Sequence, residues 1–321
     1  MEKKKVILDV DTGTDDAIAI MTAVMSENLE VLGVCAVNGN RGIDFTTENT
    51  LRVVEYLRKD IPVFRGCSLP MVVSLTEGRR EDIPYKGPKD PQDNVHGDYI
   101  DLPPATIQEQ PVSAVRWLVD TLMASEGDIT LIPVGPLTNI AMALRIEPRI
   151  AQKIKRIVIM GGGCREVNIT PTAEFNFWID PEAAKIVFDC GCDILVVPLD
   201  ATHAAAVSIR TAEALERKGT KPATLTARII RQRQNAYKHW QPMADIDSVP
   251  VHDALAVCAV LDESVLGPVV ETYADVDIGK GAADGMSIFD LDNRYKDRKK
   301  NVKVALGADP ERFADMLLNI L

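Results

Sequence analysis

The sequence has no hydrophobic segment that approaches the roughly 18–20 residues needed to span a bilayer, so we expect no membrane association. Its 321 residues include only six cysteines, which are scattered along the chain. Because a chain of this length does not need disulfide bonds for stability, we expect reduced thiols. Cys190 and Cys192 have the wrong spacing for a zinc knuckle, and no nearby histidine completes such a site.

Positive charge is also in short supply. The chain has 36 lysines and arginines against 47 aspartates and glutamates, which gives a net charge of −11. Proteins that bind DNA or RNA use clustered lysine and arginine, so this balance argues against a general binder of nucleic acid polymers. The apolar run near the start, residues 6–8, is too short for a secretion signal. We therefore expect a cytoplasmic protein.

Short apolar runs alternate with helical patterns along much of the chain. Continuous apolar runs are typical of parallel strands that are buried on both faces. This order predicts an α/β fold with a mostly parallel, Rossmann-like central sheet flanked by helices. The predicted strands are residues 6–8, 31–37, 129–134, 157–160, 194–198, 269–276 and 302–306. The predicted helices are residues 16–26, 46–58, 112–124, 136–145, 181–188, 210–240 and 253–261, with a last helix from residue 310.

One segment departs from this regular order. Residues 74–104 are rich in proline, glycine and charge, and they show no periodic pattern. A loop of this length inside a compact domain is usually functional or mobile. Since no repeat, linker or low-complexity tract divides the chain, we predict a single domain over residues 1–321 with a lid-like insertion at 74–104.

Four aspartates follow the first predicted strand within eight residues: Asp9, Asp11, Asp15 and Asp16. Ligands of α/β folds bind at the carboxyl ends of the parallel strands. Capping of the next helix would explain one or two of these side chains. Four close carboxylates raise one another's pKa unless a cation compensates, and oxygen ligands suit a hard divalent ion. The cluster therefore predicts a metal site.

Several kinds of metal site have such a cluster. An EF-hand loop that starts at Asp9 is excluded, because Ile20 stands where that loop needs a bidentate glutamate. A haloacid-dehalogenase-type, Mg²⁺-dependent phosphatase would use Asp9 as nucleophile and Asp11 as acid/base. Gly13 weakens that hypothesis, since the phosphatase pattern has Thr or Val there, but the hypothesis stays as an alternative. A non-catalytic protein of the same fold that binds a sugar or nucleoside is a further alternative.

The pattern from residue 9 to 17, with aspartates at 9, 11, 15 and 16 and glycine at 13, resembles the amino-terminal signature of the inosine–uridine-preferring nucleoside hydrolase family. Later segments resemble the same family in the same order: residues 38–40, 133–141, 160–163, 168–176, 180–184 and 251–256. The resemblance implies hydrolysis of the N-glycosidic bond of ribonucleosides to ribose and free base. It also implies a role in purine or pyrimidine salvage and a homodimer or homotetramer.

The resemblance implies roles for individual residues. A Ca²⁺ ion would be held by Asp11, Asp16, Asp253 and the main-chain oxygen of Val134. Asp9 would lie near these ligands and support them without binding the ion. Asp11 would take a proton from a calcium-bound water. His252 would protonate the leaving base. The substrate would be bound by Asp15, Asn40, His96, Asn168, Glu174, Phe175, Asn176 and Trp240.

Some of these segments make chemical sense without the family. Asn168, Glu174 and Asn176 are polar residues in an otherwise apolar, aromatic stretch, which suits the recognition of hydroxyl groups beside a flat ring. The end of the long predicted helix carries Tyr237 and His239, which either reach the base or pack as ordinary helix residues.

Overall fold

The computed structural model of the protein describes residues 2–80, 85–87, 94–241, 243 and 245–321, with only the backbone at 74 and 240. The strands are β1 (Lys4–Val10), β2 (Leu29–Ala36), β3 (Val63–Arg65), β4 (Ile129–Pro133), β5 (Ile154–Met160), β6 (Ile194–Val197), β7 (Val207–Ser208), β8 (Ser248–Val249), β9 (Val269–Thr272), β10 (Ala274–Val276), β11 (Ser287–Phe289) and β12 (Val302–Ala305). The helices are α1 (Thr14–Met25), α2 (Ile43–Leu57), α3 (Ala114–Ala124), α4 (Thr138–Ile146), α5 (Phe175–Ile179), α6 (Pro181–Phe188), α7 (Leu199–Ala204), α8 (Ile209–Lys218), α9 (Lys221–Trp240), α10 (His252–Leu261) and α11 (Pro310–Ile320).

Eight of the described strands form one sheet in the order β3-β2-β1-β4-β5-β6-β12-β9. Neighbouring strands are parallel except for β12 and β9, which are antiparallel. The mostly parallel, Rossmann-like sheet expected from the sequence is therefore confirmed. The strand order reverses between β1 and β4, and open α/β sheets bind their ligands at such a reversal.

The central strand β1 shows why its sequence is continuously apolar. Val6, Leu8 and Val10 pack into a core layer on one face of the sheet, where α1, α2 and α8 to α11 lie. Ile7 packs into the layer on the other face, with α3, α4 and α6. Because both faces are covered, a polar residue on this strand has to find its partners at the strand's end.

The structure corrects the predicted elements at two places. The predicted helix over residues 210–240 is divided into α8 and α9, because Gly219 adopts a left-handed φ of 72° that ends α8. The predicted strand over residues 269–276 is divided into β9, which pairs with β12, and β10, which pairs with β11. At the division the side chain of Asn301 bonds to both backbone groups of Ala274.

The described part of the 74–104 insertion contains no strand, and its only helical residues end a short 3₁₀ turn, Val73–Leu75. Two arginines just beyond this turn fasten it to the body of the protein. Arg79 and Arg80 form ion pairs of 2.8 Å and 2.7 Å with the buried Asp284. The Arg80 guanidinium also lies 4.1 Å from the centre of the Trp178 ring.

Two features expected to be absent concern membrane spans and disulfide bonds. Among the described helices, none is both long and apolar enough to cross a membrane. All six cysteines lie in the described part of the chain, and none of them forms a disulfide bond.

Candidate active site

The acidic cluster lies at the carboxyl end of β1 and the start of α1. Asp16 ties this turn together, because its carboxylate accepts hydrogen bonds from the backbone N–H of Gly13 at 2.9 Å and of Asp11 at 3.1 Å. Asp11 in turn accepts a 2.7 Å hydrogen bond from the backbone N–H of Asn40, at the end of β2. Two neighbouring strand ends therefore orient the first pair of carboxylates.

Asp9, the last acidic residue within β1, has a different environment. Its carboxylate accepts a 2.8 Å hydrogen bond from the Asn139 side chain on α4. Burial raises the pKa of Asp9 to about 8. It does not line the cavity described below, so its place is behind the other aspartates.

A further member of the acidic cluster, Asp253, comes from a later segment of the chain. Asp253 lies in the first turn of α10, where the helix dipole favours negative charge. Side-chain oxygens of Asp15, Asp16 and Asp253 all lie within 4.8 Å of one another, and all three residues are buried. Buried carboxylate oxygens this close together could hold a hard divalent cation.

Burial and mutual repulsion of the carboxylates shift the pKa values of the acidic cluster. Burial, followed by the charge of Asp15, raises the pKa of Asp16 to about 7. Burial and neighbouring carboxylates also raise the pKa values of Asp11 and Asp253 well above the usual range. Asp15 is the exception: burial would raise its pKa, but the Arg233 guanidinium holds it below its usual value. A divalent cation would stabilise the ionised form of the other three.

The group of carboxylates that lies closest to a metal-binding arrangement differs by one residue from the set that the sequence predicts. The sequence predicts Asp11, Asp16, Asp253 and the carbonyl of Val134, whereas the tightest group of carboxylates includes Asp15 in place of Asp11. The Val134 carbonyl, just after β4, accepts a 2.8 Å hydrogen bond from the Asn176 side chain. A carbonyl oxygen has a second lone pair for a ligand.

The polar residues predicted to bind a sugar are brought together around α5. Glu174 caps this helix by accepting hydrogen bonds from the backbone N–H groups of Asn176 at 2.9 Å and Phe177 at 3.3 Å. It also accepts a 2.8 Å hydrogen bond from the backbone N–H of Gly162. Asn168 accepts a 2.9 Å bond from the backbone N–H of Phe175. Burial raises the pKa of Glu174 to about 7. Each of these residues is therefore held in place by hydrogen bonds to the backbone, and each lines the cavity described below.

His96, in the insertion, is placed against the start of α1. Its Nδ1 atom accepts a 3.2 Å hydrogen bond from the backbone N–H of Thr14 and lies 3.6 Å from the carboxylate of Asp15. The ring packs so closely on Gly13 that a Cβ atom there would overlap it. Burial lowers the pKa of His96 to about 4, so the imidazole is neutral at physiological pH.

His252 is the centre of a chain of side chains. Its Nδ1 atom is 2.7 Å from the Thr202 hydroxyl, and its Nε2 atom is 2.7 Å from the Tyr237 hydroxyl. Burial keeps the pKa of His252 well below its usual value. The structure thus separates the two residues predicted together at the end of α9: Tyr237 is buried in the site, whereas His239 is exposed. The predicted contact of the Trp240 side chain falls outside the described residues.

These groups line one cavity at the carboxyl edge of the sheet. Asp16 lies directly behind it, bonded to the Asp11 backbone. Of the predicted site residues, Asp11, Asp15, Asn40, His96, Val134, Asn168, Glu174, Phe175, Asn176, His252 and Asp253 line the cavity. Lining residues that the sequence did not point to are Arg41, Tyr85, Asn94, Val95, Met160, Ile169 and Arg233.

The most consequential residue of this second group is Arg233. The sequence contains a signal for it, because residues 226, 230, 233 and 237 of α9 have the spacing of one helix face. In the structure all four residues are buried. A charged residue on an otherwise buried stripe requires a buried partner. The carboxylate that pairs with it could not be identified without the fold.

The model of the inosine-uridine preferring nucleoside hydrolase family matches residues 6–315. The chain belongs to this family. The pyrimidine-specific ribonucleoside hydrolase RihB of Escherichia coli (strain K12) is 36% identical over 318 residues, which are 98% of this chain and 95% of RihB. Among solved structures, the purine-preferring ribonucleoside hydrolase from Gardnerella vaginalis has a TM-score of 0.85 at 27% identity, over 98% of this chain and 97% of that chain. A plant nucleoside hydrolase has a TM-score of 0.84 at 31% identity, over 98% of both chains.

The family assignment confirms the resemblance found in the motifs. This nucleoside hydrolase acts on the N-glycosidic bond of ribonucleosides, as expected from the sequence. The comparisons do not favour the haloacid-dehalogenase-type phosphatase or the non-catalytic binding protein.

Proposed function

We propose that this nucleoside hydrolase releases ribose and free base from pyrimidine ribonucleosides, with a Ca²⁺ ion held by its buried aspartates. The observation that carries the proposal is the group of buried carboxylate oxygens within 4.8 Å of one another, beside a cavity that is lined by further polar side chains. A buried acidic cluster alone would be costly, and a cation of double charge offsets that cost.

We assign the ion to Asp11, Asp16, Asp253 and the main-chain oxygen of Val134. These ligands are all oxygen atoms, which suits Ca²⁺ and its flexible coordination. When bound, the ion supplies positive charge that makes a nearby water more acidic and attracts sugar hydroxyls. Asp15 is left out because its carboxylate is already 2.8 Å from the Arg233 guanidinium.

The sugar is proposed to lie between the two groups of polar residues. The Asp15 carboxylate and Asn40 approach it from the start of α1 and the end of β2. Asn168, Glu174 and Asn176 approach it from the α5 side, where backbone contacts hold them in place. Such fixed acceptors and donors orient the hydroxyls without a further entropic cost at the moment of reaction.

In the proposed reaction a water oxygen forms a bond to C1′ while the bond from C1′ to the base nitrogen breaks. Asp11 accepts the proton that the water loses. The sugar passes through an oxocarbenium-like state, and attack opposite the base gives inversion at C1′. The electron pair of the broken bond leaves with the base nitrogen.

The departing base then needs a proton or a hydrogen-bond donor. His252 and Tyr237 are proposed to supply it, because their 2.7 Å hydrogen bond lies in the lining of the cavity. The Thr202 hydroxyl on the other side of the ring holds the imidazole in this orientation. The lowered pKa of His252 favours a neutral ring. Such a ring would release a proton at Nε2 toward Tyr237 only as it takes one up at Nδ1 from the Thr202 hydroxyl, and solvent would restore the proton after each turnover.

The preference for a pyrimidine base is proposed from the relatives. RihB, with 36% identity, is named as pyrimidine-specific, whereas the purine-preferring enzyme from Gardnerella vaginalis has 27% identity. On the base side, the rings of Tyr85 and Phe175 meet edge to face with centroids 5.2 Å apart. Together with His96 and Trp240, they are the proposed surface for the base.

An assay of reducing sugar over a panel of uridine, cytidine, inosine and adenosine tests this function. We expect sugar release from uridine and cytidine, loss of activity after treatment with EGTA, and recovery on addition of Ca²⁺. Release from inosine alone would overturn the base preference. Activity that EGTA and EDTA leave unchanged would overturn the metal assignment.

The remaining proposals concern the state of the protein in the cell. From the family we propose a homodimer or homotetramer that works in the cytoplasm in nucleoside salvage. Light scattering of the purified protein measures its mass in solution, and a mass equal to one chain would contradict the proposed assembly.

A further inference from the structure

Arg233 is the most deeply buried cation of the site. It lies on α9 with only 1% of its side chain exposed, and it lines the cavity beside Tyr237 and His252. An arginine stays charged in proteins, so its burial needs a partner of opposite charge. That partner is Asp15, whose carboxylate oxygen is 2.8 Å from the Nη1 atom of Arg233.

Hydrogen bonds hold the guanidinium in place from other directions. Its Nε atom donates to the carbonyl of Pro250 at 3.1 Å, just before α10. Its Nη1 atom donates to the Thr14 hydroxyl at 2.8 Å, at the start of α1. The Nη2 atom lies 3.4 Å from the Tyr237 hydroxyl. The planar group therefore links α9 to both helices that carry the acidic cluster.

This arrangement distinguishes one aspartate from its neighbours. Asp15, Asp16 and Asp253 are close enough to share a cation. A carboxylate held by a guanidinium in a fixed geometry is less available to a metal ion than one without such a partner. Asp16 instead receives backbone N–H bonds, which leave its charge to be balanced by the ion.

We propose that Arg233 is a positioning residue that keeps Asp15 off the cation and presents it to the sugar. This inference rests on the proposed function, and it adds the residue that divides the acidic cluster into metal ligands and a sugar ligand. Arg233 acts through Asp15, so the two side chains should behave as one unit in catalysis.

A double-mutant cycle on Arg233→Met and Asp15→Asn tests the coupling. We expect each single variant to lower kcat/KM on uridine by about 10²-fold or more, the scale of a misplaced binding group. The double variant should lose no more than the worse single variant. Losses that multiply would overturn the inference, because they would show that Arg233 acts independently of Asp15.

Direct calorimetric titration of chelator-treated protein with Ca²⁺ distinguishes a positioning role of Arg233 from a general structural role in the site. Arg233→Met should bind Ca²⁺ as tightly as the wild type or more tightly, because a positive charge near the ion has been removed. A merely structural arginine would instead weaken Ca²⁺ binding and activity together, and that result would overturn the proposal. Arg231→Met is the matched control, since Arg231 is on the same helix but exposed and paired with Glu216.

Arg233→Lys covers the case in which Arg233→Met does not fold, as judged by circular dichroism. Lysine keeps the charge, but it lacks the planar fork that donates to Thr14 and Pro250 while it pairs with Asp15. We expect it to keep part of the wild-type activity, and the same cycle with Asp15→Asn can be run on it. Losses of Arg233→Lys and Asp15→Asn that multiply in this cycle would overturn the inference. A wild-type protein that binds Ca²⁺ but releases sugar from no nucleoside would instead overturn the proposed function.

Discussion

At the scale of single residues, the aspartates of the site differ in what surrounds each carboxylate. Asp16 is bonded by the backbone of the turn that it caps, and Asp11 by the backbone of a neighbouring strand end. Asp15 is paired with a guanidinium. Identical side chains therefore have different functions, because position in the fold decides which of them has unmet charge.

Substitution of Asp15 and Asp16 by asparagine should affect the binding of Ca²⁺ differently. We expect Asp16→Asn to weaken binding by at least about 10-fold, as for other changes around metal ligands, and Asp15→Asn to leave it nearly unchanged. Calorimetric titration of each chelator-treated variant gives the two affinities. Equal losses in the two variants would mean that Asp15 also binds the ion.

His252→Ala should slow the reaction on nucleosides while leaving Ca²⁺ binding intact. General acid assistance is worth roughly 10²–10⁴-fold in rate, and we expect a loss in that range on uridine. On p-nitrophenyl riboside, whose leaving group needs no proton, the loss should be much smaller. His239→Ala is the control, because His239 lies in the last turn of α9 and is exposed. An equal loss on both substrates would remove His252 from leaving-group protonation.

At the scale of elements, the site depends on how closely the strand ends approach one another. Gly135 follows β4 and lies against Asp11, so a Cβ atom added there would come 2.7 Å from the Asp11 carboxylate and 2.9 Å from its backbone nitrogen. Gly39, after β2, packs against the other side of the same carboxylate. Two glycines thus leave room for one charged side chain between three strands.

Gly135→Ala should therefore displace Asp11 and lower kcat/KM on uridine by about 10²-fold, the scale expected for a displacement of about 1 Å. Gly307→Ala is the matched control, because a Cβ atom there would meet open space. Steady-state assays of both variants make the comparison. A Gly135→Ala variant with wild-type activity would show that Asp11 tolerates movement, which disagrees with its role as base and ligand.

The elements also show what the sequence could predict. The buried strands of the central sheet have continuous apolar runs, so β1, β2, β4, β5 and β6 were expected near their observed positions. The two-residue strands β7 and β8 exist only because distant segments meet, and no local pattern predicts them. The five-residue helix α5 is not among the predicted helices. Its N-cap is Glu174, which the sequence indicates only as a substrate-binding residue.

At the scale of the whole molecule, a small part of the acidic charge lies where burial makes it most costly. The net charge of −11 is spread over the chain, but the buried cluster includes Asp11, Asp16 and Asp253, whose pKa values are raised. A carboxyl group with a raised pKa keeps its proton in the native state at pH values at which the same group in the unfolded chain has already lost it. Stability then falls as the pH rises through the native pKa values.

The chelator-treated protein should therefore lose stability between pH 7 and pH 9. Glu174 and Asp16, with pKa values of about 7, and Asp9, with about 8, must ionise in this range without a cation. His96 is neutral in the native state, and in the unfolded chain histidine is mostly neutral above pH 7, so it does not offset the loss. We expect Tm to fall by several degrees, since about 1 kcal/mol moves Tm by roughly 2–4 °C in a domain of this kind.

Addition of Ca²⁺ should reduce this dependence on pH, because the ion stabilises the ionised carboxylates and binds only the native state. Differential scanning calorimetry at both pH values, with EGTA and with excess Ca²⁺, compares the four conditions. A Tm that rises with pH in the presence of EGTA would contradict the assignment of raised pKa values to the cluster.

Much of the site, too, could be predicted from motifs, because its residues follow the ends of strands that the sequence reveals. The pairing of Asp15 with Arg233 could not, since it joins residues 218 positions apart (233 − 15) through the packing of α9 on α1. The same holds for Thr202, which meets His252 only in the folded chain.

The central claim is that this nucleoside hydrolase uses Asp11 and a divalent cation in its acidic cluster to break the N-glycosidic bond. The most direct measurement is the release of reducing sugar from uridine by wild type and Asp11→Ala, each with EGTA and with added Ca²⁺. The account predicts sugar release by the wild type that requires Ca²⁺, and a loss of at least about 10²-fold in Asp11→Ala that Ca²⁺ does not restore. Sugar release that is unaffected by Asp11→Ala would contradict it.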